Sequence, residues 1–341
     1  MSADSHFWLA TLAFFIAFAA TQRMRIFALK TGMVDQPSSR GSHFAPTPRG
    51  GGLAIVGAFL LAAFGLYALR LIDLRMLLVF LLGSGTVAFI GYLDDRRPLT
   101  AKLRFCVHAA AAVIAVTLIG DASLPSWLHL GGAGIWMARI FGVLAITWGT
   151  NLFNFMDGID GIASAEAVFI GGAGAWLMYL FGVNDGLGEA MLCLAAASAG
   201  FLLWNWPPAK VFLGDVGSGF LGFTLAVLSW AATTHGAFRI EVWIILAGVF
   251  VVDATLTLMR RLLRGDRWFE PHRTHAYQHL ARRWGSHLPV TMAVSIINIF
   301  WLLPWAWFAA DRPRFAGVAL LVSLVPIIGL AVISGSGRRE K

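Results

Sequence analysis

The sequence predicts an all-α, polytopic membrane protein, and three observations support that class. Hydrophobic residues fill 58% of the 341 positions and charged residues only 13%, about half the charged share of a soluble domain. Apolar runs long enough to cross a bilayer recur from end to end. The basic residues behind the net charge of +8 lie in short loops between those runs, as the positive-inside rule expects. They do not form one soluble basic face, so a nucleic-acid partner is excluded.

The runs number about eleven, centred near residues 15, 60, 85, 111, 144, 172, 196, 225, 250, 299 and 324. The first ends in AFAA, a passable signal-peptide cleavage site. Residues 1–6 hold no Lys or Arg, however, and Arg23, Arg25 and Lys30 follow the run. A signal peptide has the reverse order, so the first run reads as an uncleaved helix with a periplasmic N-terminus. Eleven spans then put the C-terminal GRREK in the cytoplasm. Of the 26 Lys and Arg residues, only Arg70, Arg75, Arg139, Arg239, Arg312 and Arg314 fall in loops assigned outside, which supports that orientation. Residues 1–341 read as a single integral-membrane domain. Cys106 and Cys193 lie in apolar runs and read as small buried hydrophobes.

Five polar segments stand out, 31–52, 94–104, 151–161, 205–218 and 260–288, and all are assigned to the cytoplasmic side. Their gathering on one face points to a single composite site there. The first runs into a helix through Arg49-Gly50-Gly51-Gly52. It is either an anion cradle of backbone N–H groups and a guanidinium or a flexible loop. In the second, Asp94 and Asp95 end a helix, where carboxylates oppose the macrodipole. Either Arg96 and Arg97 neutralise them or they serve a site. Lys102 and Arg104 begin the next helix, within reach of a phosphate or an anionic lipid headgroup.

The third segment, NLFNFMDGIDG, is the densest. Asn151, Asn154, Asp157 and Asp160 follow at steps of three, drifting about 60° per step on a helix. Gly158 makes one continuous helix unfavourable. The asparagines therefore close one helix and the aspartates lead into the next, leaving an oxygen-rich spot that suits a hard cation. In the fourth, NWPPAKVFLGDVGSG, prolines end a helix, and Gly214 and Gly217 frame Asp215, which serves either as a helix N-cap or in a site. Within the ninth span, Asp253 is an ionisable group that is costly in a membrane. It shares a face with Arg260, seven residues on, so an ion pair is the alternative to a functional role. The fifth segment carries His272, Arg273 and His275 behind Pro271. It lacks the cysteines or HExxH of a zinc site and reads as a basic clamp for a diphosphate. His279 and His287 read as incidental.

Taken together, the DD near 94, NxxNxxDGxDG near 151, FLGDxGS near 212 and HRTH near 272 resemble the polyprenyl-phosphate N-acetylhexosamine-1-phosphate transferases. The resemblance spans nearly the whole chain with the motifs in family order. It implies a reaction in which a UDP-N-acetylaminosugar and a membrane polyprenyl phosphate (undecaprenyl phosphate) give polyprenyl diphosphate-sugar and UMP. It implies magnesium as cofactor, with manganese able to substitute, and leaves room for a homodimer. It makes Asn154 and Asp215 metal ligands, and Asp94, Asp95 and Asp215 catalytic. Lys102 becomes a phosphate contact and Asn151 a substrate contact, and Asp157, Asp160, Asn205 and Phe212 line the nucleotide pocket, with Phe212 packed on uracil. His272, Arg273 and His275 fall at the sugar and diphosphate. PTPRGG and HRTH differ from the peptidoglycan branch. They resemble the branch that initiates lipopolysaccharide O-antigen, with UDP-GlcNAc, UDP-FucNAc or UDP-QuiNAc as donor.

A polyprenyl phosphate is mostly dianionic at neutral pH, so direct attack on the β-phosphorus is expected, with Asp94 or Asp95 taking any remaining proton. An aspartate nucleophile is the rival mechanism. Among rival functions, the CDP-alcohol phosphotransferases need DGxxAR, and Asp160-Gly161 is followed by Ile162-Ala163-Ser164. A transporter or carrier of nucleotide sugar or lipid-linked sugar would place its binding groups mid-membrane on repeated, broken helices; this chain collects them at one surface.

Overall fold

The structure is a computed structural model and describes residues 7–35, 46–120, 132–266 and 272–339. Residues 36–45 and 267–271, which belong to the first and fifth polar segments, lie outside the described residues. Among those described, nine helices are long and apolar enough to cross a membrane. They are Phe7–Thr31, Leu74–Arg96, Ala101–Ile119, Gly134–Met156, Ile162–Leu180, Leu187–Asn205, Gly214–Thr234, Leu288–Asp311 and Pro313–Ser334. The chain is an α-helical multi-pass membrane protein.

The two remaining apolar centres behave differently. Gly52–Ala68 has 17 residues and rises about 26 Å, short of the roughly 30 Å hydrocarbon core. The run near residue 250 is broken at Ala247 into Ile240–Leu246 and Gly248–Leu263, bent by 83°. The all-α expectation needs one small correction. Val34–Asp35 and Thr47–Pro48 pair as a two-residue antiparallel ladder, Val34 opposite Pro48 and Asp35 opposite Thr47. It fastens the loop after the first helix to the start of Gly52–Ala68.

Gly214–Thr234 is the axis of the bundle, with 89% of its apolar window buried. Small residues let its neighbours close on it, the usual basis of helix association in lipid. A Cβ at Gly222 would lie 2.4 Å from Gly149 O, and one at Gly91 would lie 2.5 Å from Asp215 O. The second approach brings the end of Leu74–Arg96 against the start of Gly214–Thr234. Deeper in the bundle, Asn298 Nδ2 donates to Glu166 Oε2 at 2.6 Å, tying a π-helical turn at Asn298–Leu302 to Ile162–Leu180. Cys193 is buried as expected, whereas Cys106 is exposed, because it lies on the face of Ala101–Ile119 turned away from the bundle.

Candidate active site

Four helix ends meet at one end of the bundle and carry its acidic centre. Asp94 and Asp95 close one helix, Asn154 lies near the end of a second, Asp215 opens a third and Arg104 is in the first turn of a fourth. Arg104 Nη1 lies 2.5 Å from Asp94 Oδ2 and 3.4 Å from Asp215 Oδ2. Asn154 Nδ2 donates to Asp215 Oδ1 at 2.7 Å and to Ser218 Oγ at 3.2 Å. Asp94 Oδ1 accepts the Leu99 N–H at 2.5 Å, so the turn after the helix fixes its side chain.

Asp95 does different work. Its carboxylate accepts the N–H groups of Asp215 at 3.0 Å and Val216 at 3.1 Å, two of the four donors a helix start leaves unsatisfied. Asp215 is therefore no N-cap itself; its helix is capped from another one. A Cβ at Gly214 would meet the Asp95 carboxylate at 2.6 Å, and Gly214 has φ +76°, so both space and backbone call for glycine. Arg49 Nε stands 3.4 Å from Asp95 Oδ1. Beside them a cavity of about 440 Å³ is lined by Arg49, Asp95, Arg96, Arg97 and Asp35 with the chain near Thr31. A cavity of about 640 Å³ at the opposite end, around Tyr67, Arg70, Asp73, Asp185 and His235, has no connection to the acidic centre.

The loop 157–161 is anchored from several sides. Asp160 Oδ2 accepts Ala209 N at 3.0 Å, and its Oδ1 lies 3.3 Å from His287 Nδ1. Asn205 Oδ1 accepts Gly161 N at 3.0 Å and Ser164 Oγ at 2.9 Å, while its Nδ2 donates to Val211 O at 2.9 Å. These contacts leave Asp157 half-buried within reach of the acidic centre. Burial, and next the negative charge of Asp215, hold its carboxyl well above the usual range. Phe212 is half-buried, and its backbone pairs with the loop before Gly52–Ala68: Phe212 N to Pro48 O at 2.8 Å and Gly51 N to Phe212 O at 3.0 Å.

The His–Arg segment borders the same loop. Tyr277 Oη donates to Phe155 O at 3.0 Å, and a Cβ at Gly158 would come within 2.2 Å of that hydroxyl oxygen. His272 and His275 stack with ring centroids 4.9 Å apart, and His275 also faces Phe155. Burial, then the charges of His275 and Arg261, push His272 down to about 3. The permanent positive charge in this motif is therefore Arg273 rather than His272. Asp253 forms no pair with Arg260. Its oxygens accept Ala276 N at 2.8 Å and Tyr277 N at 3.1 Å, capping Ala276–Trp284 as Asp95 caps Gly214–Thr234.

Among the described residues, no group of three or more His, Cys, Asp and Glu could hold a metal. The acidic centre still presents two carboxylates to a single cationic nitrogen, with the Asn154 amide against one of them. Magnesium commonly takes one or two carboxylates and completes its shell with phosphate oxygens and water. The carboxylates of Asp94 and Asp215 fit such an ion, and Asn154, whose Nδ2 faces Asp215, would join them only through its Oδ1.

Residues 77–233, which contain the DD, NxxNxxDGxDG and GDxGS motifs, match the model of glycosyl transferase family 4. The chain is 33% identical over 279 residues to a Bacillus subtilis protein named as a probable undecaprenyl-phosphate N-acetylglucosaminyl 1-phosphate transferase; the match covers 80% of this chain and 76% of that one. The chain belongs to this family. It is also 31% identical to a Mycobacterium tuberculosis decaprenyl-phosphate N-acetylglucosaminephosphotransferase, over 93% of this chain and 86% of that one. A Thermotoga maritima undecaprenyl-phosphate alpha-N-acetylglucosaminyl 1-phosphate transferase is 30% identical, over 87% and 88%.

With glycosyl transferase family 4 as the frame, most of the expected residues converge, and two do not. Lys102 is exposed and Arg104 reaches the aspartates instead. On a helix, residues 102 and 104 point about 200° apart, while 104 and 108 share a face. That face carries the buried His108, a signal the sequence offered. Asn151 turns its amide back onto Thr147 O of its own helix at 2.7 Å. Asp160 and Asn205 build the loop by hydrogen bonding, and His287 joins them. Ser218, the serine of FLGDxGS, meets Asn154, whereas Ser336 near the C-terminus lies outside every motif.

Proposed function

We propose that this family 4 protein transfers an N-acetylaminosugar 1-phosphate from a UDP-sugar to polyprenyl phosphate and releases UMP. The acidic end of the bundle then faces the cytoplasm from a bacterial inner membrane. The product is a lipid-linked first sugar for lipopolysaccharide O-antigen or a related envelope glycan. The three relatives are all named for N-acetylglucosamine, so UDP-GlcNAc is the first donor to test, ahead of UDP-FucNAc and UDP-QuiNAc. The observation that carries the reading is the acidic centre itself: Asp94 and Asp215 drawn onto one positive nitrogen, with Asn154 beside them, in a member of this family.

In this reading an oxygen of the acceptor phosphate bonds to the β-phosphorus of the donor, and the bond from that phosphorus to the bridging oxygen breaks. UMP departs with the electron pair. Magnesium, when bound by Asn154 and Asp215, would supply charge neutralisation for the two approaching anions. Arg104 and Arg273 add fixed positive charge, and a half-buried Phe212 offers a face to the base. The acceptor is already mostly dianionic at neutral pH. Both oxygens of Asp95 hold backbone N–H groups and its side chain is 1% exposed, so an Asp95 nucleophile is disfavoured. Of the DD pair, that leaves Asp94 to take a residual proton.

A carrier function is not favoured, because the relatives are all named as transferases. The test is detergent-solubilised protein with polyprenyl phosphate, magnesium and a panel of UDP-sugars. Metal-dependent UMP release with one donor supports the proposal, and silence with every donor counts against it.

A further inference from the structure

The C-terminal turn after the last helix packs into the machinery from outside every motif discussed so far. Ser336 is fully buried, and its Oγ donates to Asp253 Oδ1 at 2.5 Å. Its carbonyl accepts Arg260 Nη1 at 2.6 Å. Gly337 N donates to Thr274 O at 2.6 Å, which lies between Arg273 and His275. Further along, Arg339 Nη2 reaches Asp266 Oδ1 at 2.5 Å, and Arg264 approaches the same carboxylate at 3.0 Å. A stretch of four residues, 336–339, thus grips both flanks of the connection between Gly248–Leu263 and Ala276–Trp284.

The grip is directional. Asp253 is itself buried and caps the helix that begins at Ala276, directly after His275. Besides the two cap N–H groups it accepts Thr257 Oγ1 at 3.2 Å and the Ser336 hydroxyl, and its Oδ1 lies 3.7 Å from His275 Nδ1. A buried carboxylate needs its donors, so removing the Ser336 hydroxyl loosens the cap, and the cap sets where His275 and the helix behind it stand. Thr274 is held by the same turn through its carbonyl. Nothing in the turn itself contacts the acidic centre in the contacts described.

The geometry points to Ser336 as a positioning residue: the Gly335–Ser336–Gly337 turn holds His272 and Arg273 in place for the donor diphosphate, with the buried His275 as the support behind them. This rests on the proposed transferase reading for what His272 and Arg273 bind. A role in positioning the donor, rather than in holding the bundle together, makes the two substrates respond differently.

The experiment uses full-length protein in detergent and the Ser336→Ala and Ser336→Thr variants. Two readouts are taken: hydrogen–deuterium exchange, and initial rates of UMP release against each substrate. Positioning predicts that Ser336→Ala speeds exchange in a peptide covering residues 274–278 and leaves the core of Gly214–Thr234 unchanged. It predicts a KM for the UDP-sugar about fivefold higher, the scale of one lost hydrogen bond, with the KM for polyprenyl phosphate unmoved. Ser336→Thr, which keeps a hydroxyl, recovers at least part of both effects. Unchanged exchange at 274–278 overturns the proposal, and so does a fall in active fraction with both KM values intact. Should the wild type release no UMP from any UDP-amino sugar, the transferase reading fails, while the exchange readout still decides whether the turn holds the segment.

Discussion

The Asp95 carboxylate accepts the backbone N–H of Asp215 at 3.0 Å across a separation of 120 residues. The link makes one acidic residue a structural element of the other's helix. Asp94, its immediate neighbour, faces Arg104 and the opposite side of Asp215. Adjacent residues in the DD motif thus have separate tasks, one building the helix start and one presenting charge to the site.

The first prediction follows from that division. Asp95→Ala removes the acceptor for two helix-start donors and should cost about 0.5–2 kcal/mol, the usual range for a lost cap. The thermal midpoint of the solubilised protein should fall, and Asp95→Asn, which keeps one acceptor oxygen, should fall less. A wild-type midpoint for Asp95→Ala would mean the cap contributes nothing.

Arg104 and Lys102 separate cleanly. Arg104→Gln leaves Asp94 and Asp215 without their shared partner, a loss for which roughly a hundredfold drop in turnover is reasonable. Lys102→Ala should stay within about twofold, since exposed charges contribute little. Rates of UMP release for the two variants, measured side by side, test the assignment; the opposite ranking would return the phosphate contact to Lys102.

A close contact yields a paired prediction. Gly158→Ala places a methyl against Tyr277 Oη, and should lower activity by disturbing the loop that holds Asp157. Combining it with Tyr277→Phe removes the obstructing oxygen and should recover part of the loss, a coupling that a double-mutant cycle reads directly. Purely additive effects would show that the contact does not govern the loop.

The pH dependence can be signed at His272. Burial, with His275 and Arg261, pushes its imidazole down to about 3, so it stays neutral throughout the range of about pH 5–8 in which a free histidine titrates. Its folded value lies below its unfolded one. Protonation therefore favours the unfolded chain, and this site costs stability as pH falls below the unfolded value. In the kcat/KM profile, His272→Gln should leave any inflection between about pH 5 and 8 in place. Loss of such an inflection in the variant would show that His272 titrates there.

Much of this was legible in the sequence, and the particular failures are instructive. Hydropathy placed all eleven apolar centres on helical segments because bilayer length is a one-dimensional property. The 83° break at Ala247 left no such trace, since both halves remain apolar. The NLFNFMDGIDG stretch divided as Gly158 suggested, with one helix ending at Met156 and the next beginning at Ile162. Asp253 looked like a partner for Arg260 because local spacing shows only neighbours on one helix. Beside Thr257 on its own helix, its partners Ala276, Tyr277 and Ser336 come from elements that only the fold brings together. The same limit hid the Asp95 cap. Lys102 and Arg104 were equally open from the sequence, and it is Arg104, on the face shared with His108, that reaches the aspartates.

The acidic centre is tested most directly by titrating magnesium into Asp215→Ala protein and following UMP release from UDP-GlcNAc with undecaprenyl phosphate. Transfer should be absent at every magnesium concentration while the wild type saturates; turnover in the variant at the wild-type rate would contradict a cation site built on Asp215.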